Sequence, residues 1–399
     1  MKIKLQQLLI AIAGLLVSAN ANAYDFSKDG IYYNITSETT VEVTYSYYDT
    51  DSKEFSNNFT GNLTIPAKLI YNNRTYTVTE IDQYAFWKCK RLTSVTIPNS
   101  VKTIDNYAFY YCPLLTSVTI GNSVTDINDH AFGLCVSLTS VTIGNSVRAI
   151  GPYAFYHCPE LTSVTIPNSV KTIGVYAFCD CTRLTSVTIG NSVTSIREKA
   201  FCNCTGLTSV TIPNSVETIS RCAFYNCTGL TSVTIGNSVK TIDEYAFRYC
   251  KGLTSVTIVG SSNFEFGVFA DCDNIRTVYC QSTTPPSNLY FSKYVSTLYV
   301  PIGYKSAYKA YIAAGYMSDF GIIKEMEFNS IEDIVADGDE ISVIVQDGEI
   351  VVNGIENDLV EVYNFNGQLV YSGNDTTIAV ADKGIYIVKV TGKTFKVAL

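Results

Sequence analysis

Cysteine is the residue type here that could bind a metal, form a disulfide or act as a nucleophile. The chain has 13 cysteines but only two histidines, His130 and His157. So few histidines leave little material for a zinc site or a histidine-based catalytic group. Most of the cysteines recur at a constant spacing of 23 residues, which predicts a column of small, buried, hydrophobic side chains rather than disulfides. The members of this cysteine column are Cys89, Cys112, Cys135, Cys158, Cys181, Cys204, Cys227 and Cys250.

Two cysteines outside this column, Cys179 and Cys202, are also 23 residues apart, at a position that holds aromatic residues in other copies of the repeat. Neighbouring coils of a repeat lie within the distance that a disulfide spans, so a Cys179–Cys202 disulfide is geometrically possible. The CxC spacing at 179–181 and 202–204 could instead indicate a metal. Neither unit contains a histidine, and we expect no metal site and no cofactor.

No motif predicts an enzyme or a nucleic-acid partner. The sequence has no nucleophile elbow, phosphate loop, HExxH motif or isolated carboxylate pair, so we assign no catalytic residue. The formal net charge is -8 and Lys and Arg form no runs, which argues against nucleic acid and against a polybasic membrane patch.

A 23-residue repeat dominates the sequence. SVTI recurs at a fixed spacing, beginning at residues 94, 117, 140, 163, 186, 209, 232 and 255. Each copy alternates apolar and polar residues, which predicts a short strand with Val95 and Ile97 inward and Ser94 and Thr96 outward. We therefore expect a solenoid in which each coil adds one strand to a parallel β-sheet and carries a second apolar turn around AF.

Aromatic residues concentrate at the variable positions around AF, in a chain with 29 tyrosines. Rigid rings give contact area at low entropic cost, so we predict a binding strip there. Stacked rings that merely shield the coil edges are the alternative, and the uniform Ser and Thr ladder could instead bind a regular lattice. The candidate binding residues are Tyr84, Trp87, Tyr107, Tyr110, Tyr111, Tyr153, Tyr156, Tyr176, Tyr225, Tyr245 and Tyr249.

The repeat unit, read as LTSVTIPNSVKTIDNYAFYYC, resembles the BspA-like leucine-rich repeat family of bacterial surface proteins. GNLTIPAKLIYNNRTYTVTEIDQYAF is similar to the usual entry into the first regular repeat of that family, and TLYVPIGYKSAYKAY with FGIIKEM resembles its exit. The exit lacks the tryptophan expected before the closing Phe. The resemblance implies a leucine-rich-repeat solenoid and a secreted or surface-attached protein that acts in adhesion rather than as an enzyme.

Both ends of the chain resemble targeting signals. Residues 1–23 combine early lysines, a short apolar stretch and Ala21-Asn22-Ala23, which predicts a signal peptide cleaved after Ala23. A membrane anchor is the alternative, although the apolar stretch is shorter than the roughly 20 residues that a span needs.

The tail begins with a change in composition, since residues 327–358 contain ten Asp or Glu and no Lys or Arg. Its short alternating runs predict a small antiparallel sandwich. VEVYNFNGQLVYSG and KGIYIVKVTGKTFKVAL resemble the C-terminal sorting domain of type IX secretion substrates, which implies recognition by the outer-membrane export machinery. An Ig-like adhesive module is the alternative.

The sequence thus predicts an exported binding protein, secreted or on the outer cell surface, with no transmembrane segment in the mature chain. We expect adhesion to host proteins or other cells through the solenoid. Glycan capture, or a carbohydrate-active surface protein, is the alternative. The predicted domains are 1–23, a signal peptide; 24–62, an N-terminal β cap; 63–275, the repeats; 276–326, a C-terminal repeat cap; and 327–399, the sorting or Ig-like β domain.

Overall fold

The computed structural model describes residues 24–49, 54–56, 59–291, 295–328, 342–346, 349–353, 359–364, 369–380, 385–390 and 393–398. The predicted signal peptide lies outside the described residues. The chain divides into two compact units. The first runs to Val300 and includes Tyr304–Lys324, and the second comprises Pro301–Gly303 and the residues from Glu325 onward.

The first unit opens with a set of mixed strands that start the solenoid. β1 and β2 form an antiparallel pair that continues into β3, and β3 pairs in parallel with β8. The β7–β8 hairpin turns at Asn72 and Asn73, whose φ angles are 47° and 60°. These strands are β1 (Phe26–Lys28), β2 (Ile31–Ile35), β3 (Thr40–Thr44), β4 (Tyr47–Asp49), β5 (Glu54–Ser56), β6 (Thr60–Thr64), β7 (Lys68–Tyr71) and β8 (Arg74–Ile81).

The SVTI segments form the first parallel ladder, in register from coil to coil, with Val118 opposite Val95. Val95 and Ile97 are buried and Thr96 is exposed, which confirms the predicted faces. The strands of this ladder after β6 are β9 (Arg91–Thr96), β11 (Ser117–Thr119), β13 (Ser140–Thr142), β15 (Ser163–Thr165), β17 (Ser186–Thr188), β19 (Ser209–Ile212), β21 (Ser232–Ile235), β23 (Ser255–Ile258) and β25 (Thr277–Cys280).

Each coil contributes a second strand, and the prediction of one strand per coil was therefore wrong. Residues such as Thr103 and Ile104 pair in parallel with the next coil. Two residues are too few to show an alternating pattern in the sequence, so only the stacking of coils makes these strands visible. They are β10 (Thr103–Ile104), β12 (Asp126–Ile127), β14 (Ala149–Ile150), β16 (Thr172–Ile173), β18 (Ser195–Ile196), β20 (Thr218–Ile219), β22 (Thr241–Ile242) and β24 (Asn263–Phe264).

Between the two ladders runs a continuous spine of stacked phenylalanines. Phe132, Phe155 and Phe178 are completely buried, with ring centroids 5.4 and 5.2 Å apart and planes within 6° of parallel. Beside this spine, the predicted cysteine column is buried, and each thiol donates to a phenylalanine carbonyl of the preceding coil, as Cys181 does to Phe155 O at 3.4 Å. These thiols are therefore structural.

The first ladder is interrupted twice, between β13 and β15 and between β17 and β19, while the second ladder is continuous from β8 to β24. Hydrogen bonds between asparagines of successive coils are interrupted at the same places among the described residues. Asn145 N–H donates to Asn122 Oδ1 at 3.2 Å, but the described residues show no equivalent bond from Asn168 to Asn145. Val141 and Val187, at the two interruptions, are only half-buried. We call these two places seams.

The residue after each SVTI segment explains the seams. A Cβ on Gly121 would lie 2.5 Å from Pro98 O, and one on Gly190 would lie 2.5 Å from Pro167 O, so these two coils approach their neighbours too closely for a larger residue here. Both seams fall where a proline coil follows a glycine coil, at Pro167 and Pro213. The sequence pattern has Pro or Gly at this turn without distinction, whereas in the structure a new ladder segment begins where proline follows a glycine coil, at Pro167 and Pro213.

Three further elements follow β25, namely β26 (Val295–Pro301), α1 (Lys305–Ala313) and β27 (Phe320–Met326). β26 extends the first ladder by pairing in parallel with β25. Tyr308 anchors the helix, because its ring is fully buried and its hydroxyl donates to Ser282 O at 2.8 Å.

The second unit has the predicted antiparallel sheets, in the orders β28–β29–β32 and β31–β30–β33–β34. Val343 and Ile350 of the first sheet share one buried cluster with Val362 and Val388 of the second, as in a sandwich. The strands are β28 (Ser342–Gln346), β29 (Glu349–Asn353), β30 (Val360–Asn364), β31 (Leu369–Gly373), β32 (Thr377–Ile378), β33 (Ile385–Val390) and β34 (Lys393–Ala398).

Candidate binding surface

The turn around AF has an unusual backbone, because each regular coil places two residues in the left-handed region. Tyr107 has φ 57° and Tyr111 has φ 58°. Such a conformation costs a non-glycine residue roughly 1 to 2 kcal/mol. Bonds to the next coil hold it in place, since Tyr107 N–H donates to Asp129 O and Tyr111 N–H donates to Gly133 O, at 2.9 and 2.8 Å. The repeated geometry sets equivalent side chains one above another.

Five rings at the first of these positions form the tyrosine stack: Tyr84, Tyr107, His130, Tyr153 and Tyr176. Successive centroids are 5.4, 4.6, 4.4 and 4.7 Å apart, with planes between 8° and 22° from parallel. Asp129 Oδ1 lies 2.8 Å from Nδ1 of the histidine. The stack therefore extends without a gap over five consecutive coils.

A second row of rings meets the stack edge-on. Tyr110 lies 5.3 Å from Tyr107 at 74°, and Tyr156 lies 5.6 Å from Tyr153 at 82°. Burial against these neighbours raises the pKa of all four phenols. Trp87 adds a similar contact to Tyr84. All of these rings are half-buried, so each leaves part of its surface exposed.

Lys199 ends the tyrosine stack. Its ammonium lies 4.8 Å from the centre of the Tyr176 ring, and Nζ donates to the Tyr176 hydroxyl at 2.5 Å. Beyond it, small residues replace rings at Cys179, Cys202 and Cys222, and a hollow of about 480 Å³ opens. The hollow is bordered by Tyr156 and Tyr176 on one side and by Tyr225 and Tyr245 on the other.

Polar groups line the hollow as well. Asn203 Nδ2 donates to Asp180 Oδ1 at 2.7 Å, and Arg248 Nε donates to Asp271 Oδ2 at 2.9 Å. The Arg248 guanidinium also lies 5.0 Å from the centre of the Tyr245 ring. An open cavity with aromatic walls and a few fixed polar groups has the composition of a ligand site.

The structure divides the predicted binding residues into three groups. Most belong to the tyrosine stack or to the edge-on row beside it. Tyr225, Tyr245 and Tyr249 lie around Arg248, and the first two border the hollow. Tyr111 is 40% exposed and takes part in no described ring contact.

Sequence reasoning left out His130, which joins the stack, and Lys199, which ends it. It also missed the hollow, although the loss of rings at Cys179 and Cys202 was a usable signal. Both cysteines line the hollow as free thiols, and the disulfide between them stays a prediction.

The Ser and Thr ladder forms an open strip on the first ladder, where Ser163 and Thr165 are exposed. In a neighbouring column, by contrast, threonine hydroxyls donate hydrogen bonds to the preceding coil. Thr139 Oγ1, for example, donates to Thr116 O at 3.0 Å. Within the described residues, no group of three or more His, Cys, Asp or Glu side chains is arranged to hold a metal ion. No described helix is long and apolar enough to cross a membrane.

Together, the in-register coils and the spine define a parallel β-solenoid of the leucine-rich-repeat class. The family model of the BspA type leucine rich repeat region matches residues 67–185 and 171–295, more than half of the 399 residues. The chain therefore belongs to the BspA-type leucine-rich repeat family, as its sequence predicts.

A solved structure shows a similar fold, and others match with lower TM-scores. A leucine-rich repeat protein from Bacteroides ovatus is 21% identical with a TM-score of 0.50, and the match covers 76% of this chain and 100% of that one. A leucine rich cell surface protein from Faecalibacterium prausnitzii is 23% identical with a TM-score of 0.44, covering 78% and 96%. The leucine rich repeat protein of T. pallidum is 24% identical with a TM-score of 0.41, covering 63% and 90%. Among curated proteins, none matches significantly.

Proposed function

We propose that this protein is an exported adhesin that binds host proteins or other cells through its aromatic strip, meaning the tyrosine stack with the edge-on row of Trp87, Tyr110 and Tyr156. The observation that carries the proposal is the continuous array of half-exposed rings over five coils. Aromatic residues are enriched in binding hot spots, and solenoids of this class serve as rigid, non-enzymatic binding scaffolds.

The edge-on rings provide the sharpest test, because replacing them leaves the tyrosine stack itself complete. The mature chain is screened against host matrix proteins, and the Tyr110→Ser, Tyr156→Ser double variant is then titrated against each ligand found. We expect the affinity to fall by at least about 2 kcal/mol, or roughly 30-fold.

Thr119→Ala with Thr165→Ala, on the exposed Ser and Thr strip, is the matched control and should bind normally. A threonine variant that loses binding while the tyrosine variant keeps it would place the recognition face on the first ladder instead.

Export to the outer surface is supported by the signal-peptide pattern of residues 1–23 and by the resemblance of the tail to type IX sorting domains. The antiparallel sheets of the second unit are compatible with either a sorting domain or an Ig-like module. Deleting residues 327–399 should trap a folded solenoid in the periplasm. Normal surface display of the truncated chain would favour the Ig-like module.

Glycan capture is the second candidate function, and the hollow favours it. A pyranose ring can pack its apolar face on a tyrosine such as Tyr156 or Tyr225, while Asp180 and Asn203 exchange hydrogen bonds with its hydroxyls. On a glycan array, Asn203→Ala should abolish any specific signal. Glu160→Gln, in an exposed ion pair with Arg183, is the control. Equal binding by both variants would exclude the hollow as the sugar site.

A further inference from the structure

Two thiols of the hollow differ from the cysteine column around them. In the column, Cys204 Sγ donates to Phe178 O at 3.2 Å, and Cys181 makes the equivalent bond one coil earlier. Among the described residues, Cys179 and Cys202 have no such carbonyl acceptor. Both side chains line the hollow instead.

The backbone brings this pair within bonding range. Asp180 N–H donates to Cys202 O at 2.8 Å, so the two cysteines occupy equivalent places in hydrogen-bonded coils. The neighbouring rings of Phe178 and Phe201 stack with centroids 5.4 Å apart. Coils paired in this way are about 4.8 Å apart, and this spacing lies inside the Cα range of natural disulfides.

Solvent access also distinguishes Cys179 and Cys202 from the cysteine column. Cys179 and Cys202 line the open hollow and keep 3% and 6% of their surface exposed, whereas Cys181 and Cys204 keep none. The Cys179 thiol and the Lys199 charge lower the pKa of Cys202 despite its burial. Burial raises the pKa of the column thiol Cys204 well above its ordinary value. The pair that lines the hollow is therefore the one that a reagent reaches more readily than the buried column.

We propose that Cys179 and Cys202 form a redox-active dithiol whose oxidants are low-molecular-weight disulfides of the glutathione type. The Cys202 thiolate attacks one sulfur of the oxidant, breaks its S–S bond and releases one thiolate, which leaves a mixed disulfide. The Cys179 sulfur then loses its proton, attacks Cys202 Sγ and releases the second thiol. The pair is oxidised, and one small disulfide is reduced to two thiols.

The experiment treats the fully reduced, folded chain with oxidised glutathione, blocks the remaining thiols and locates the bonds by peptide mass spectrometry. We expect a Cys179–Cys202 disulfide that forms at least about tenfold faster than any modification of the cysteine column. Cys179→Ser should accumulate a glutathione adduct on Cys202, and Cys202→Ser should form neither the adduct nor the bridge.

Cys222→Ser is the control, because Cys222 lines the same hollow in the next coil. The bridge should form in this variant at the rate of the unmodified chain. Loss of the bridge in Cys222→Ser, oxidation that begins in the column, or an unreactive Cys202 would each overturn the proposal. No binding partner enters the assay, so its outcome is independent of the proposed adhesion.

Discussion

Phe155 illustrates how much a single residue contributes to the stability of a repeat protein. Its ring is completely buried and stacks against Phe132 and Phe178 in the coils on either side. Replacing it with alanine removes both contacts and leaves a cavity that neighbouring coils, held in register by the continuous second ladder, cannot close. The loss therefore affects three coils at once.

We predict that Phe155→Ala lowers the free energy of unfolding by about 3 to 5 kcal/mol. Thr165→Ala, at an exposed position of the next coil, should change it by less than about 0.5 kcal/mol. Denaturant melts of both variants measure the difference. Equal losses would contradict the assigned inward and outward faces.

The phenols of the aromatic strip predict a response to alkaline pH. Burial raises the pKa of Tyr107, Tyr153 and Tyr156 above the ordinary value of 10.0, so the folded chain holds these protons more tightly than the unfolded chain. The stability that follows is complete below pH 10 and is lost as the pH rises through the folded pKa values. Melting temperatures should therefore fall above pH 10.

Phenylalanine at the same three positions is the control for this titration. A triple Tyr→Phe variant keeps the rings but cannot ionise there, so its melting temperature should fall less steeply in the same alkaline range. Parallel curves for the two proteins would show that other groups cause the loss.

At the scale of the elements, the seams interrupt the hydrogen bonding between coils in the first ladder but not in the second. Ile120 N–H donates to Thr142 O and Ile166 N–H donates to Thr188 O, both at 2.9 Å. Among the described residues, no backbone partner exists for the amides of Ile143 and Ile189 at the seams. We predict that these two amides exchange with deuterium at least about tenfold faster than those of Ile120 and Ile166.

Substitution of Gly121 tests the cause of the seams. A Cβ there would lie 2.5 Å from Pro98 O, so Gly121→Pro should open a third seam and deprotect the amide of Ile97, which donates to Thr119 O at 2.9 Å. The expected loss of stability is about 1 to 3 kcal/mol. Pro167→Gly, at an existing seam, is the control, and it should slow exchange at Ile143. Unchanged protection in both variants would show that proline does not set the seams.

At the scale of the whole molecule, the solenoid and the tail are separate compact units with separate cores. A chain ending at Met326 should therefore keep the melting temperature of the solenoid transition within about 2 °C, since no residue of the larger core is removed. Calorimetry of the two chains measures this. A solenoid that no longer unfolds cooperatively without the tail would show that its stability depends on the second unit.

The amino-acid sequence by itself determined the fold class, because the exact repetition of SVTI and the alternation of Val95 and Ile97 with Thr96 leave only one face to bury. The same repetition predicted the cysteine column and the family. Binding through the aromatic positions, export and the sorting role of the tail remain predictions, since no pattern in a repeat specifies its partner.

Only the tertiary structure decided which residues act together. Contacts between coils join residues 23 positions apart, so the stacking of His130 with Tyr107 and Tyr153 depends on left-handed turns that the sequence does not mark. The seams depend on which coil precedes a proline, and the hollow depends on several small residues in adjacent coils. In each case the deciding quantity is a distance between coils, which is set by packing rather than by local sequence preference.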